Sequence, residues 1–331
     1  MEESKITDYH TAERIYTFLD KRCSIELFDI NALAVDASRR KYYRIAHNAE
    51  SFILMDAEHE PDQFAKFIEV DSLLHQFGFS APKIFFQDNN EKLMLLEDFG
   101  ELSYTKALLR SPEKEWALYE PAVKLLKELH RCPTDNLNLA PYDPVLLNQE
   151  LSVFLDWYLS HRLEDTQAVA AGTALFAIFN DLYSTLEELP PTIVLRDYHA
   201  DNLMVIKGRS DTKNVGVLDF QDAVLGSPLY DLVSLLEDAR RDVHPETVAK
   251  SKELFLNLEP ALSKEIFDRT YAILAMQRNL KIIGIFHRLC KRDKKQKYIN
   301  YLPRVWGYVM DGLKSPTMKS LRTWFNKYDV V

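Results

Sequence analysis

Residues 192–221 read TIVLRDYHADNLMVIKGRSDTKNVGVLDFQ. Apolar runs at 193–195, 203–205 and 215–218 alternate with polar segments, the second of which carries Gly208, Ser210, Asp211 and Asn214. Short runs rich in β-branched residues and bounded by turn formers read as strands. Arg196-Asp197 follows the first run, Asn202 immediately precedes the second, and Asp219-Phe220 follows the third. A carboxylate, a carboxamide and a second carboxylate therefore stand at strand ends.

These groups suit one kind of chemistry. Phosphoryl transfer asks little covalent help from a protein. It asks for a base beside the attacking hydroxyl and for oxygen ligands on the metal that carries the phosphates. Hard Mg²⁺ takes a few carboxylate or carbonyl oxygens and completes its shell with phosphates and water. The order Asp, Asn five residues later, then Asp after a strand–turn–strand is that of a kinase catalytic loop. It assigns Asp197 as the catalytic base and Asn202 and Asp219 as metal ligands, with ATP and Mg²⁺ as cofactors.

Composition narrows the setting. A chain of 331 residues with 47% hydrophobic content can bury one large or two medium cores. No stretch approaches the roughly 18 to 20 apolar residues that span a bilayer, and MEESKITDYH has neither the basic lead nor the apolar run of a secretory signal. Cys23, Cys132 and Cys290 lie far apart, which fits reduced thiols in a cytoplasmic protein rather than a zinc or disulfide framework. The net charge of −9 argues against nucleic acid as a partner. Arg288, Lys291, Arg292, Lys294, Lys295 and Lys297 form a local exception, either a solvated helix end or an anion-attracting rim. Nothing in the sequence sets an oligomeric state.

Along the chain, strand-like runs at 28–30, 42–45, 51–55, 84–86 and 93–96 accompany one helix from Pro61 to Phe77, stopped by Gly78. Beyond residue 101, helical patterns dominate at 115–130, 143–161, 167–186, 229–243 and 268–292. The expectation is an α+β, bilobal fold of the protein-kinase type. Residues 1–97 form a small β-rich nucleotide-binding lobe; residues 98–331 form a larger helical lobe with the catalytic loop and substrate site.

With these residues in view, the chain resembles the aminoglycoside phosphotransferase-like kinases over most of its length. Within them it is most similar to the bacterial branch that phosphorylates the anomeric position of N-acetylmuramate and N-acetylglucosamine in peptidoglycan recycling. Leu195 to Asn202 and Leu218 to Ala223 mark the superfamily. Arg40, Tyr42 and Arg44, Leu54 to Ala57 and Asp156-Trp157-Tyr158 carry the resemblance further, and Asp36-Ala37-Ser38 with Gln277-Arg278-Asn279-Leu280-Lys281 point to the branch. The resemblance implies an ATP-dependent phosphotransferase acting on the hydroxyl of a small amino sugar. It also implies that the backbone around Glu97 and Phe99 holds adenine and that Asp231 braces the catalytic loop.

Two features depart from the wider kinase pattern. Residues 31–42 contain no glycine, so there is no glycine-rich phosphate loop, and Met55 stands where a phosphate-gripping lysine is expected. Ser38, Arg40, Tyr42 and Arg44 alternate and so share one face of an extended strand. The guanidinium is a rigid fork matched to phosphate oxygens. Arg40, aided by Arg44, is therefore expected to replace the lysine, with the Ser38 hydroxyl and nearby backbone N–H groups capping the phosphates. Substrate candidates are Glu150, Asp156, His199 and Arg278, the last sharing a helix face with Lys281. Two alternatives stay open: an amine-bearing acceptor such as choline, ethanolamine or an aminoglycoside, and a non-catalytic nucleotide-binding module.

Overall fold

In the computed structural model, which describes residues 8–33, 39–186 and 189–330, Asp8 accepts the Thr11 N–H at 2.8 Å and caps α1 (Tyr9–Lys21). Ile15, Phe18 and Leu19, spaced three and four apart, form its buried stripe. They pack on Tyr43, Ile45, Leu54, Leu93 and Leu95. The sequence expectation of one helix in this region is thus corrected to two among the described residues. The pattern was diluted because Tyr9 and Tyr16, also apolar, face solvent.

The sheet under α1 has β1 (Asp29–Leu33), β2 (Lys41–His47), β3 (Glu50–Asp56), β4 (Ile84–Asp88) and β5 (Leu93–Glu97), in the order β1-β2-β3-β5-β4 and antiparallel throughout. Side chains alternate across a strand. Leu54 faces α1, while its neighbour Met55, paired with Tyr42 and Met94, turns to the other face and is 0% exposed. A lysine there would bury a charge, which explains physically why an apolar side chain suits the position. Pro61 opens α2 (Pro61–Gln76), which buries Phe64, Phe67, Val70 and Leu74. The chain leaves it through Gly78 at φ +81°, a left-handed position that favours glycine.

From there run α3 (Tyr104–Arg110), α4 (Glu115–His130), α5 (Pro144–Trp157) and α6 (Asp165–Tyr183). The catalytic stretch supplies β6 (Thr192–Val194), β7 (Leu203–Val205), β8 (Val215–Val217) and β9 (Val224–Gly226), paired β6 with β9 and β7 with β8. Then follow α7 (Tyr230–Leu236), α8 (Pro245–Asn257), α9 (Lys264–Lys291), α10 (Leu302–Gly312) and α11 (Lys319–Tyr328). The helical pattern expected over 229–243 is real only to Leu236.

Two units account for these elements: Met1–Lys106 with Asn202–Asp222, and Ala107–Asp201 with Ala223–Val331. The first therefore extends beyond residue 97 and takes in the β7–β8 pair. Val217 N–H donates to Ser80 O and Val205 N–H to Leu102 O, each at 2.9 Å, joining that pair to the rest of the first unit. In the second unit α5 crosses α9 at Gly284, where an added Cβ would lie 2.4 Å from Val153 O.

Candidate active site

In the second unit the loop after β6 is built around Arg196 and Asp197. Arg196 has φ +71°, a left-handed conformation unusual for a side-chain-bearing residue. Asp231, at the start of α7, stabilises that turn by accepting Leu195 N–H at 2.6 Å and Arg196 N–H at 2.8 Å. Burial, the largest influence, pushes the Asp231 carboxyl up to about 7 against those two donors. Tyr198 OH donates to Ala122 O at 2.9 Å and ties the loop to α4.

The Arg196 side chain meets Glu150 of α5. That carboxylate is 7% exposed and carries two cations on one oxygen: Arg196, and Lys281 Nζ of α9 at 2.6 Å. Its other oxygen accepts from Tyr142 OH and from Gln277 Nε2 at 3.4 Å. Burial opposes ionisation, but Lys281 and then Arg196 overcome it and hold Glu150 at about 2. A carboxylate offers about four acceptor sites, and all four are used. Glu150, expected as a substrate contact, thus has its acceptor sites occupied by side chains of the protein itself.

Asp197 itself is exposed. Burial of the carboxyl among neighbouring atoms works to raise its pKa, and Lys281, His199, Arg196 and Arg278 together carry it below the ordinary value. It therefore remains anionic and able to accept a proton. Lys281, named in the sequence only as a partner to Arg278, is the leading cation here. The signal that could have found it is its place on the Gln277 face of α9, opposite Glu150.

The other candidates separate. His199 is 6% exposed, with Nε2 3.5 Å from Arg240 Nη1; burial foremost lowers its pKa, against the carboxylates of Asp238 and Asp197. Arg278 is buried, donating to Ser234 Oγ at 2.9 Å and Glu237 O at 3.3 Å. Asp156 is exposed on α5, six residues from Glu150 and so about a third of a turn away around the helix.

In the first unit Asn202 and Asp219 lie at the same end of the β7–β8 pair. Leu203 opposes Val217, and Leu218 N–H donates to Asn202 O at 2.9 Å. Asp219 has φ +57° and an exposed carboxylate. Its Oδ1 accepts Arg40 Nη2 at 3.1 Å and Gln221 Nε2 at 2.9 Å. Arg40 is 6% exposed, pairs through Nε with Glu60 at 3.4 Å and lies 5.9 Å over the Tyr42 ring. A carboxylate and a carboxamide at one strand end fit the donor set of Mg²⁺, which needs no protein cage of three acids; among the described residues no such cage of His, Cys, Asp and Glu occurs.

Arg44 is committed elsewhere. Its guanidinium bonds Asp98 at 2.7 and 3.1 Å, Glu101 at 2.8 Å and Gly100 O at 3.1 Å, fastening the segment after β5. Glu97 N–H donates to Lys83 O at 2.8 Å, and the Glu97 carboxylate accepts Arg209 at 3.0 Å. Arg209 in turn lies 5.8 Å over the Phe99 ring, which packs against Gly216. Ser38 lies outside the described residues.

A model of the phosphotransferase enzyme family matches residues 29–263. The chain belongs to that family. It is 32% identical over 328 residues to the N-acetylmuramate/N-acetylglucosamine kinase of Caulobacter vibrioides, covering 96% of this chain and 87% of the relative. The protein of the same name from Pseudomonas aeruginosa is 34% identical over 282 residues, covering 83% and 80% of the two chains. Among solved structures, an ADP-bound aminoglycoside phosphotransferase superposes with a TM-score of 0.63 at 15% identity, covering 90% of this chain and 98% of that one. The choline kinase LicA of Streptococcus pneumoniae does so at 0.64 and 12% identity, covering 91% and 99%. These two bear out the α+β kinase-like fold. No helix among the described residues is long and apolar enough to cross a membrane.

Proposed function

We propose that this chain transfers the γ-phosphoryl group of ATP to the anomeric hydroxyl of N-acetylmuramate or N-acetylglucosamine, as a cytoplasmic enzyme of peptidoglycan recycling. The observation that carries the choice of acceptor is the 32% identity over 96% of the chain to a kinase named for those sugars. Asp197 is the base. Its anionic state, maintained by Lys281 and Arg196, lets it accept the hydroxyl proton as the oxygen attacks phosphorus.

Asn202 and Asp219 would hold Mg²⁺, which when bound neutralises phosphate charge. Arg40, already seated on Asp219, is the cation that replaces the missing lysine; Arg44, spent on Asp98 and Glu101, is not. The Glu97 carbonyl and Phe99 N–H are the backbone pair for adenine, since the Glu97 N–H is bound to Lys83.

The test is transfer from γ-labelled ATP to a panel of N-acetylmuramate, N-acetylglucosamine, choline, ethanolamine and an aminoglycoside, with the phosphorylated atom read by NMR. Label at the anomeric carbon of either sugar is expected. Label on amine-bearing acceptors alone, or on none, would overturn the reading.

A further inference from the structure

The four-way saturation of Glu150 has no role in phosphoryl transfer by itself, yet every group on it leads to the base loop or to the helices around it. Arg196 precedes Asp197 in the chain and is held in a left-handed turn. Such a conformation persists in a side-chain-bearing residue only where its surroundings over-determine it. Asp231 grips the backbone from one side. On the other, the guanidinium reaches Glu150 and lies 5.7 Å over the Tyr142 ring. Tyr142 is itself fixed by its N–H to Leu225 O of β9, at 2.6 Å, and by its hydroxyl on Glu150.

We propose that Glu150 is a positioning residue for the catalytic base: it locks the Arg196 side chain, and with it the turn that aims Asp197, to α5 and α9. The same oxygen that receives Arg196 receives Lys281, so the cation nearest in influence to Asp197 is set in place by the same carboxylate. Two cations on one anion leave a surplus positive charge beside the base, and Glu150 decides where that surplus stands.

This inference rests on Asp197 being the base, and its test has a readout that does not. Full-length wild type, Glu150→Gln and Arg196→Lys are compared by amide hydrogen exchange and by steady-state kinetics. Loss of a charge-assisted lock should accelerate exchange of the peptide holding Leu195 to Asp197 by about tenfold or more, while peptides from β2 and β3 exchange as in wild type. In the kinetics, kcat should fall about a hundredfold, the scale of a misplaced catalytic group, with KM for ATP little changed. The double variant should be no slower than the worse single one, because both break the same lock.

Exchange that rises equally across the protein, or a wild-type kcat in folded Glu150→Gln, would overturn the proposal and leave Glu150 as packing alone. Should Glu150→Gln fail to fold, Arg196→Lys decides, since it keeps the positive charge and removes the planar guanidinium that meets Glu150 and lies over Tyr142. Should no amino sugar be phosphorylated by wild type, the functional reading fails and the exchange comparison still decides the lock.

Discussion

Gly284 is where the α5–α9 crossing can be put to the test. A Cβ built at this residue would lie 2.4 Å from Val153 O and 2.5 Å from Phe154 N, and both obstacles are backbone. Ordinary van der Waals contact begins at 3.4 Å, so Gly284→Ala leaves the two helices about 1 Å too close. No rotamer change can relieve this, so α5 must shift bodily or α9 must bend. Overpacking of this kind costs typically about 1–3 kcal/mol. The gain in helix propensity from glycine to alanine, about 1 kcal/mol, offsets part of it. Because both obstacles are backbone, the upper end of that cost applies; a net loss of about 2 kcal/mol is expected, which lowers the melting temperature by about 4–8 °C for a unit of this size.

The displacement also has a functional consequence. Val153 lies one turn from Glu150 on α5, and Gly284 lies one turn from Lys281 on α9, so the shift acts on the Glu150–Lys281 pair. Turnover should fall more than stability alone explains, at a temperature where the variant is fully folded. The assay is thermal and urea unfolding followed by turnover at matched folded fraction. A melting temperature equal to or above wild type would refute the close-crossing argument, because propensity alone would then have decided the outcome.

Other outcomes follow from the same geometry. Asp197→Asn should keep the fold and ATP affinity while lowering turnover by roughly 10² to 10⁴; near wild-type turnover in a folded protein would remove Asp197 as the base. Arg40→Ala should weaken ATP by about tenfold or more, the scale of a lost charge-assisted hydrogen bond, and leave adenosine nearly unchanged. Met55→Ala should instead cost stability, about 2–5 kcal/mol for a buried methionine, with the ATP-to-adenosine ratio intact; calorimetric titration of both variants separates the cases. Asp71 of α2, 4% exposed, has its carboxyl pushed up to about 7 by burial first and by Glu97 second. The folded state therefore binds a proton that the unfolded state, with its carboxyl near 3.8, gives up earlier. Between about pH 4 and 7 stability falls as pH rises. Asp71→Asn should remove that slope, so its stability advantage over wild type should be larger at pH 8 than at pH 5 in urea unfolding; an advantage independent of pH would contradict the assignment.

The strand and turn frame that carries Asp197, Asn202 and Asp219 was legible because it is local. Asp197, Asn202 and Asp219 sit at fixed offsets from short strands, and the strands announce themselves by β-branched runs between turn residues. The same held for the sheet and α2, whose apolar periods are short and clean. α1 was missed for the opposite reason: apolar residues on its solvent face blurred the period. α7 was read too long, since the apolar pattern continues past Leu236 although the helix does not.

The nature of the reaction and the fold class were thus within the reach of sequence alone, because each rests on contacts between residues near in the chain. The fates of Glu150, Arg44 and Arg278 were not. A glutamate on an amphipathic helix and an arginine on a strand look alike whether they meet solvent, substrate or one another. Only tertiary packing brought Glu150 against Arg196 and Lys281, 46 and 131 positions away along the chain, and set Arg44 on Asp98 and Arg40 on Asp219. A charge takes its role from its nearest partner in space. Once burial removes competing water, that partner fixes its ionisation, its orientation and whether any lone pair remains to offer a ligand.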